Sequence, residues 1–248
     1  MHSNFDPIGF LVHSAEDIGA LCEKLMPKCE TIQLAHGKYL HWVSTSGAQI
    51  WLFVDNDGQL VTIAPAFAGK GRVRVNLLKS YPRDPFNAEG GLNGWANPGE
   101  KAGQMPETGD YPFVFDTPDF ALHGNLKLPV VRTAQITAFA HEMSVYADEA
   151  EFSASQKGQK FAARSFIPTG LISVAKTNEP PPAYAILSGQ VLWADLKTNE
   201  ISGEKFVWAC VESLGGTYDV VAPTSMVKGP LKVGEIVSGS FWLCGQLL

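Results

Sequence analysis

The sequence predicts an α+β protein built mostly of antiparallel sheets with few helices. Three observations carry that expectation. Only one stretch has strong helical periodicity, with Ile18, Leu21, Cys22 and Leu25 at i, i+3, i+4 and i+7. Between Glu30 and Ala64 the apolar runs are short and separated by turn residues, as in a meander of strands. From Tyr184 to Leu248 about five further runs of strand character follow, broken by Gly-Gly, Asn and Pro.

Taken in order, Asp6 to His13 holds Pro-Ile-Gly-Phe-Leu-Val and is expected to form a short apolar strand. Ser14 is an N-cap with Asp17 three residues on, an acidic variant of the capping box. Glu16 and Asp17 suit the positive end of the helix dipole and Lys24 the negative end, while Pro27 blocks continuation. A helix is therefore predicted over Ala15 to Met26. Strands are predicted over Glu30–Leu34, Lys38–Ser44, Ala48–Val54 and Gln59–Ala64. The third is apolar on both faces and should lie inside its sheet. Asp55-Asn-Asp-Gly58 is a hairpin turn; it lacks the spacing and terminal Glu of a calcium loop.

Strand, helix and then three or four strands, over about Phe5 to Phe67, resembles the βαβββ module of the vicinal-oxygen-chelate (glyoxalase-like) proteins. The resemblance implies a divalent metal held by first- and last-strand side chains. Those positions are here Pro7, Ile8, Gly9 and Phe10, and Thr62, Ile63, Ala64 and Pro65. None is a ligand, so no metal site and no cofactor is expected. A diverged glyoxalase-like enzyme acting on a small molecule stays open as an alternative function.

Lys70-Gly-Arg-Val-Arg-Val-Asn76 differs in kind. At period 2, Lys70, Arg72 and Arg74 share one strand face and Val73 and Val75 the other. One reading is an edge strand guarded by charge. The other is a cradle for a small anion or an acidic protein partner. Ser80 to Pro129 is loop-rich, with Gly90-Gly91, Gly94, Pro98-Gly99, Pro106, Pro112, Pro118 and Pro129. Interleaved Trp95, Tyr111, Phe113, Phe115 and Phe120 make it a packed cover rather than a disordered linker. Strand character returns over Val130 to Tyr146, Asp148 caps a short helix, and Lys160 to Thr169 is a further strand. His141-Glu142 lacks the second His of a zinc helix.

The C-terminal strands, with a long first strand bent at Gly189, resemble the OB-fold, a small partly open barrel. A plain antiparallel sheet is the alternative. The OB resemblance implies binding of single-stranded nucleic acid through aromatic platforms and basic grooves. Trp193, Trp208, Tyr218, Phe241 and Trp242 are present, but Lys197, Lys205, Lys228 and Lys232 are outnumbered by Asp195, Glu200, Glu204, Glu212, Asp219 and Glu235. Such a module repels phosphates, so these aromatics read as core and nucleic acid is a disfavoured partner.

Composition sets the rest. Hydrophobic residues at 45% and charged residues at 18% fit a globular chain, and the net charge of −6 disfavours anionic membranes and nucleic acid. No apolar run reaches the length of a membrane span, and the N-terminus lacks the pattern of a signal peptide. Cys22, Cys29, Cys210 and Cys244 have no metal or redox spacing and read as free thiols in the cytoplasm. The prolines at 180–182 suggest two units, an α+β unit over 1–176 with an insertion at 80–129 and a mainly β unit over 183–248. The whole chain resembles bacterial hypothetical proteins without an assigned activity. No nucleophile elbow, Walker loop or dinucleotide fingerprint is present. The expected function is therefore a binding or interaction protein without a catalytic site, with Lys70, Arg72 and Arg74 as the candidate surface.

Overall fold

The computed structural model describes residues 3–100, 102, 105–158, 160–173 and 179–248. Helix α1 (Ala15–Leu25) starts at the predicted capping box. Ser14 Oγ accepts from the Asp17 N–H at 3.1 Å and Asp17 Oδ2 from the Ser14 N–H at 2.9 Å. Leu21, Cys22 and Leu25 form its buried stripe, and a 3₁₀ turn over Met26–Lys28 ends it at Pro27. The strand expected at Asp6 to His13 is not formed. Asp6–Ile8 is a 3₁₀ turn, Gly9 is left-handed at φ 81°, and Phe10 to His13 pair with no strand. This segment bonds instead to a distant turn, with Asn199 Nδ2 donating to Ile8 O at 2.8 Å and Ser202 Oγ to Gly9 O at 2.6 Å.

Strands β1 (Glu30–Leu34), β2 (Gly37–Val43), β3 (Ala48–Asp55) and β4 (Leu60–Phe67) form a four-stranded antiparallel meander in that order. Seven of the eight β3 residues are buried, as expected for an inner strand. The β3–β4 turn is held by Asp55 Oδ1, which accepts from the Asp57 and Gln59 N–H groups. Tyr39 packs edge-on against Trp51 and Phe53.

The second sheet contains β5 (Arg72–Pro82), β6 (Gly90–Ala96), β7 (Pro112–Thr117), β8 (Val130–Tyr146), β9 (Ser165–Ile167), β10 (Tyr184–Thr198), β11 (Lys205–Ser213), β12 (Gly216–Pro223) and β13 (Ile236–Leu247). Short helices α2 (Glu149–Ser155), capped by Asp148, and α3 (Thr169–Ser173) lie between β8 and β10. The region expected to be irregular cover thus contains β6 and β7. Glycine hid β6, because its glycines permit close packing rather than turning the chain. A Cβ on Gly90 would overlap the Phe120 ring, and one on Gly94 the Asn76 carbonyl. The expected strand at Lys160 to Thr169 shrinks to the three residues of β9.

Four long strands, not about five, follow Tyr184. Gly239 and Gly245 sit inside one continuous β13, bulged between Ser240 and Phe241. Strands on both sides of the expected boundary share this sheet. β9 pairs with β10 across it, and β13 pairs with β8 over most of its length; residues 177 and 178 of the boundary lie outside the described set. The pairings close a five-strand circuit, β10–β11–β12–β8–β13–β10, in which only β12–β8 is parallel. β5 pairs with β6, β8 and β12, so it is an internal strand and the edge-guard reading of its charges does not apply. Among the described residues no helix is long and apolar enough to cross a membrane. All four cysteines are free, with Cys29 half-buried and the others buried.

Candidate functional site

The basic run enters β5 around a buried acid. Asp219 is fully buried on β12 and accepts four hydrogen bonds. Lys70 N–H (2.9 Å) and Trp208 Nε1–H (2.8 Å) donate to Oδ1; Gly71 N–H (2.8 Å) and Gln135 Nε2–H (2.6 Å) donate to Oδ2. Gly69 has no Cβ because one there would overlap the Asp219 carboxyl, and a Cβ on Gly71 would crowd β12. The glycines flanking Lys70 therefore let the chain wrap Asp219, which directs the Lys70 side chain across the neighbouring strands.

There it meets two indoles. Lys70 Nζ lies 5.5 Å from the Trp193 ring centroid and 5.6 Å from that of Trp208. Lys197 Nζ lies 5.3 Å from the same Trp208 ring and pairs with Asp195 at 2.8 Å. The β10–β11 register sets Trp193 opposite Cys210, Asp195 opposite Trp208 and Lys197 opposite Phe206, so these side chains share one face. Trp208 is buried, whereas Trp193 is 50% exposed. Both Lys70 and Arg72 act on the nearby Cys210 thiol. Burial and Asp219 push it up to about 11; the Thr217 hydrogen bond and the two cations pull the other way.

Of the three predicted site residues, the structure brings Lys70 and Arg72 to this surface. Arg72 Nη1 donates to Gly71 O at 2.6 Å and Gly69 O at 3.4 Å. Arg74 is drawn toward the 97–110 loop, with Nη1 on Pro98 O at 3.1 Å. Arg72 and Arg74 are exposed and alternate with buried Val73 and Val75, as the period-2 reading expects. Among the described residues no carboxylate lies within ion-pair distance of Lys70, Arg72 or Arg74, and Nε and Nη2 of both arginines make no hydrogen bond.

No protein-family model, curated protein or solved structure matches the chain.

The sequence leads one to expect Trp193 in the core with Trp208, Tyr218, Phe241 and Trp242. The last four are buried; Trp193 is not. The signal was available, since Trp193 alternates with Asp195 and Lys197 and so belongs to a charged face.

Of the clefts elsewhere, two contain histidine or cysteine side chains. One, of about 320 Å³, is lined by Asn4, Arg83, Glu89, Asp116, Tyr184, Trp242 and Cys244, among others. Asp116 accepts from Arg83 Nε (3.1 Å) and Nη2 (2.9 Å) and from Trp242 Nε1 (2.7 Å). Burial raises both the Asp116 and Glu89 carboxyls. Cys244 is a poor nucleophile there, because burial holds its thiol well above the usual range and it donates to Pro65 O at 3.7 Å. The other cleft, about 390 Å³ and mainly apolar, includes His36 and His123. His141 bonds Asn4 Oδ1 at 2.9 Å and packs against Tyr184. Tyr39, Ile50, Leu52 and Phe53 are buried in the β1–β4 sheet, and Leu34 and Phe53 also line the 390 Å³ cleft. Among the described residues no three His, Cys, Asp or Glu side chains gather as metal ligands would.

Proposed function

We propose that this protein binds an anionic segment of a partner protein on the surface formed by Lys70, Arg72 and Trp193. The observation that carries the reading is the setting of Lys70. Its ammonium is held by two indole rings rather than by a carboxylate, so its position is fixed while its charge is left unneutralised. Arg72 adds a guanidinium edge that still has free donors, suited to planar carboxylates, and Arg74, turned toward Pro98, adds positive charge beside it. Trp193 supplies exposed apolar area of the type that anchors interfaces. A small anion at the same cations is the minimal form of this chemistry.

A second reading has its own support. What supports it is the five-strand circuit, with a long first strand bulged between Val191 and Trp193 and one parallel pair, β12–β8, an arrangement that an OB-type barrel would also use. The circuit's closing strand β8 comes from upstream of β10 rather than from downstream of β13. Exposed Trp193 beside Lys70 then resembles a base-stacking platform for single-stranded nucleic acid.

Three labelled probes separate these readings: a glutamate-rich peptide, an oligothymidylate and inorganic phosphate, the last as competitor. Anisotropy is followed at about 50 and about 500 mM salt, since exposed charge pairs are screened over that range. Salt-sensitive peptide binding supports the partner reading. Preferential oligothymidylate binding supports the second. Competition by millimolar phosphate reduces the site to a small-anion site. No binding of any probe at low salt removes all three.

A further inference from the structure

We infer that two copies of this chain pair through the free edge of β10, residues 193–198, as antiparallel strands about a two-fold axis. β10 pairs with β13 only from Tyr184 to Gln190 and is held to the following turn at Val191, where Val191 N–H donates to Glu235 O and Gly234 N–H to Val191 O. Beyond the bulge between Val191 and Trp193 it pairs with β11 alone. The Asn199 N–H donates to Glu204 O, so by antiparallel alternation residues 197, 195 and 193 face β11. Ala194, Leu196 and Thr198 therefore direct their backbone groups outward; no described strand meets them, and Ala194 to Leu196 border an open cleft of about 530 Å³ whose other wall is Thr224 to Leu231. The edge carries a bulge at its start and one charge of each sign, Asp195 and Lys197, so a like-charged strand is not what it would pair with. It carries no proline, and Trp193 and Leu196 are each 50% exposed.

The charges on this edge select a second copy and a single register. With Leu196 opposite Leu196 of the second copy, Ala194 faces Thr198 and the outward-pointing residues exchange their hydrogen bonds. Asp195 then lies opposite Lys197 twice over, once on each side of the axis. Sliding by two residues in one direction sets Asp195 against its own copy, and in the other direction Lys197 against its own copy; both are repulsive. The segment is thus self-complementary in the sense an isologous interface requires. Asp195 and Lys197 already pair within the chain at 2.8 Å, with Lys197 Nζ over the Trp208 ring, so the dimer exchanges this pair for two across the axis. The pairing is argued from the strand edge; it shares Trp193 with the anionic-partner reading, but sedimentation of the chain alone reads it without any added peptide.

Sedimentation equilibrium of the full chain tests it. The expected result is a reversible dimer of the 26.8 kDa chain. Asp195→Lys alone and Lys197→Asp alone each turn two attractive pairs into repulsive ones, and each is expected to weaken dimerisation by roughly tenfold or more. The double swap Asp195→Lys with Lys197→Asp is expected to restore the dimer to within about threefold, since the pairs are merely exchanged. Leu196→Pro removes one outward N–H without touching the β11 ladder and is expected to be a folded monomer by circular dichroism. A wild-type chain that is monomeric at every concentration overturns the proposal. So does a dimer that survives both single reversals, or one that the double swap fails to restore.

Discussion

The backbone N–H of Lys70 donates to Asp219 Oδ1 at 2.9 Å, so a buried acid fixes the strand entry that presents an exposed cation. Asp219 gathers three further donors, from Gly71, Trp208 and Gln135. Asp219→Ala strands all four and is expected to cost on the order of 3 kcal/mol, because buried donors without acceptors are penalised in full. Gly69→Ala pushes a methyl into the same carboxyl and is expected to cost about 1–3 kcal/mol by overpacking. Urea unfolding of the two variants checks both. Wild-type midpoints would show that the anchor is not a stability element.

Tyr111 and Tyr218 make a buried hydroxyl pair, and Tyr111 donates onward to Leu214 O at 2.8 Å. Burial raises both phenols above the ordinary tyrosine range. The chain of donors is directional, which predicts an asymmetry. Tyr218→Phe leaves the Tyr111 bond to Leu214 intact and is expected to cost about 1 kcal/mol, whereas Tyr111→Phe leaves a buried Tyr218 hydroxyl unpaired and should cost about 1–3 kcal/mol. Equal losses in denaturant titrations would refute the directional chain.

Glu89 predicts a pH dependence. Burial is the largest cause of its raised pKa; the nearby Asp84 and Asp116 carboxylates add to it, and a Thr62 hydrogen bond opposes it. A carboxyl raised in the folded state binds its proton more tightly there than in the unfolded chain. Its stabilising contribution is therefore present below the ordinary value near 4.5 and is lost as pH rises through the raised value. Glu89→Gln should then flatten the decline of stability with pH in that window and leave the variant more stable than wild type at neutral pH. Thermal midpoints across pH 4–7 provide the check. Parallel wild-type and variant curves would contradict it.

Arg83 straps the chain after the undescribed segment to β7. It donates to Asp116 and also to the carbonyls of Pro180 (3.4 Å) and Pro181 (2.7 Å). Gly91 leaves room for this, since a Cβ there would press on the Arg83 guanidinium. Arg83→Ala is expected to lower stability by about 1–2 kcal/mol, discounted because both partners are partly exposed, and to speed proteolysis near residues 179–182. Arg83→Lys should recover only part of the effect, lacking the two-pronged geometry. Unchanged cleavage in Arg83→Ala would show that the strap is held elsewhere.

What was legible in the sequence follows from how local each signal is. The Ser14–Asp17 capping box, the Asp55 turn and the all-apolar β3 are decided by neighbours in the chain and lie where expected. The elements that went unseen depend on contacts far away in sequence. Gly9 and Pro7 sit in a run that reads as a strand, but Asn199 and Ser202 hold it as a turn. β6 is rich in glycine because Phe120 and Asn76 press against it, and no local rule distinguishes that from a loop. The site divides in the same way. Period 2 exposes Arg72 and Arg74 from sequence alone, whereas Asp219, 149 residues from Lys70, and the indole of Trp193 join them only through the fold.

The central claim, that the Lys70–Arg72–Trp193 surface receives an anionic partner segment, is tested most directly by the indole N–H resonances of the six tryptophans. They are followed by NMR as a glutamate-rich peptide is added, with Trp193 assigned from Trp193→Phe. The account predicts salt-sensitive shifts of Trp193 and Trp208, with Trp42, Trp51, Trp95 and Trp242 unmoved. It predicts that Arg72→Glu with Arg74→Glu abolishes those shifts while the fold and stability hardly change, since exposed charges contribute little to folding. Shifts at the other four indoles alone, or identical titrations of wild type and double variant, would contradict it.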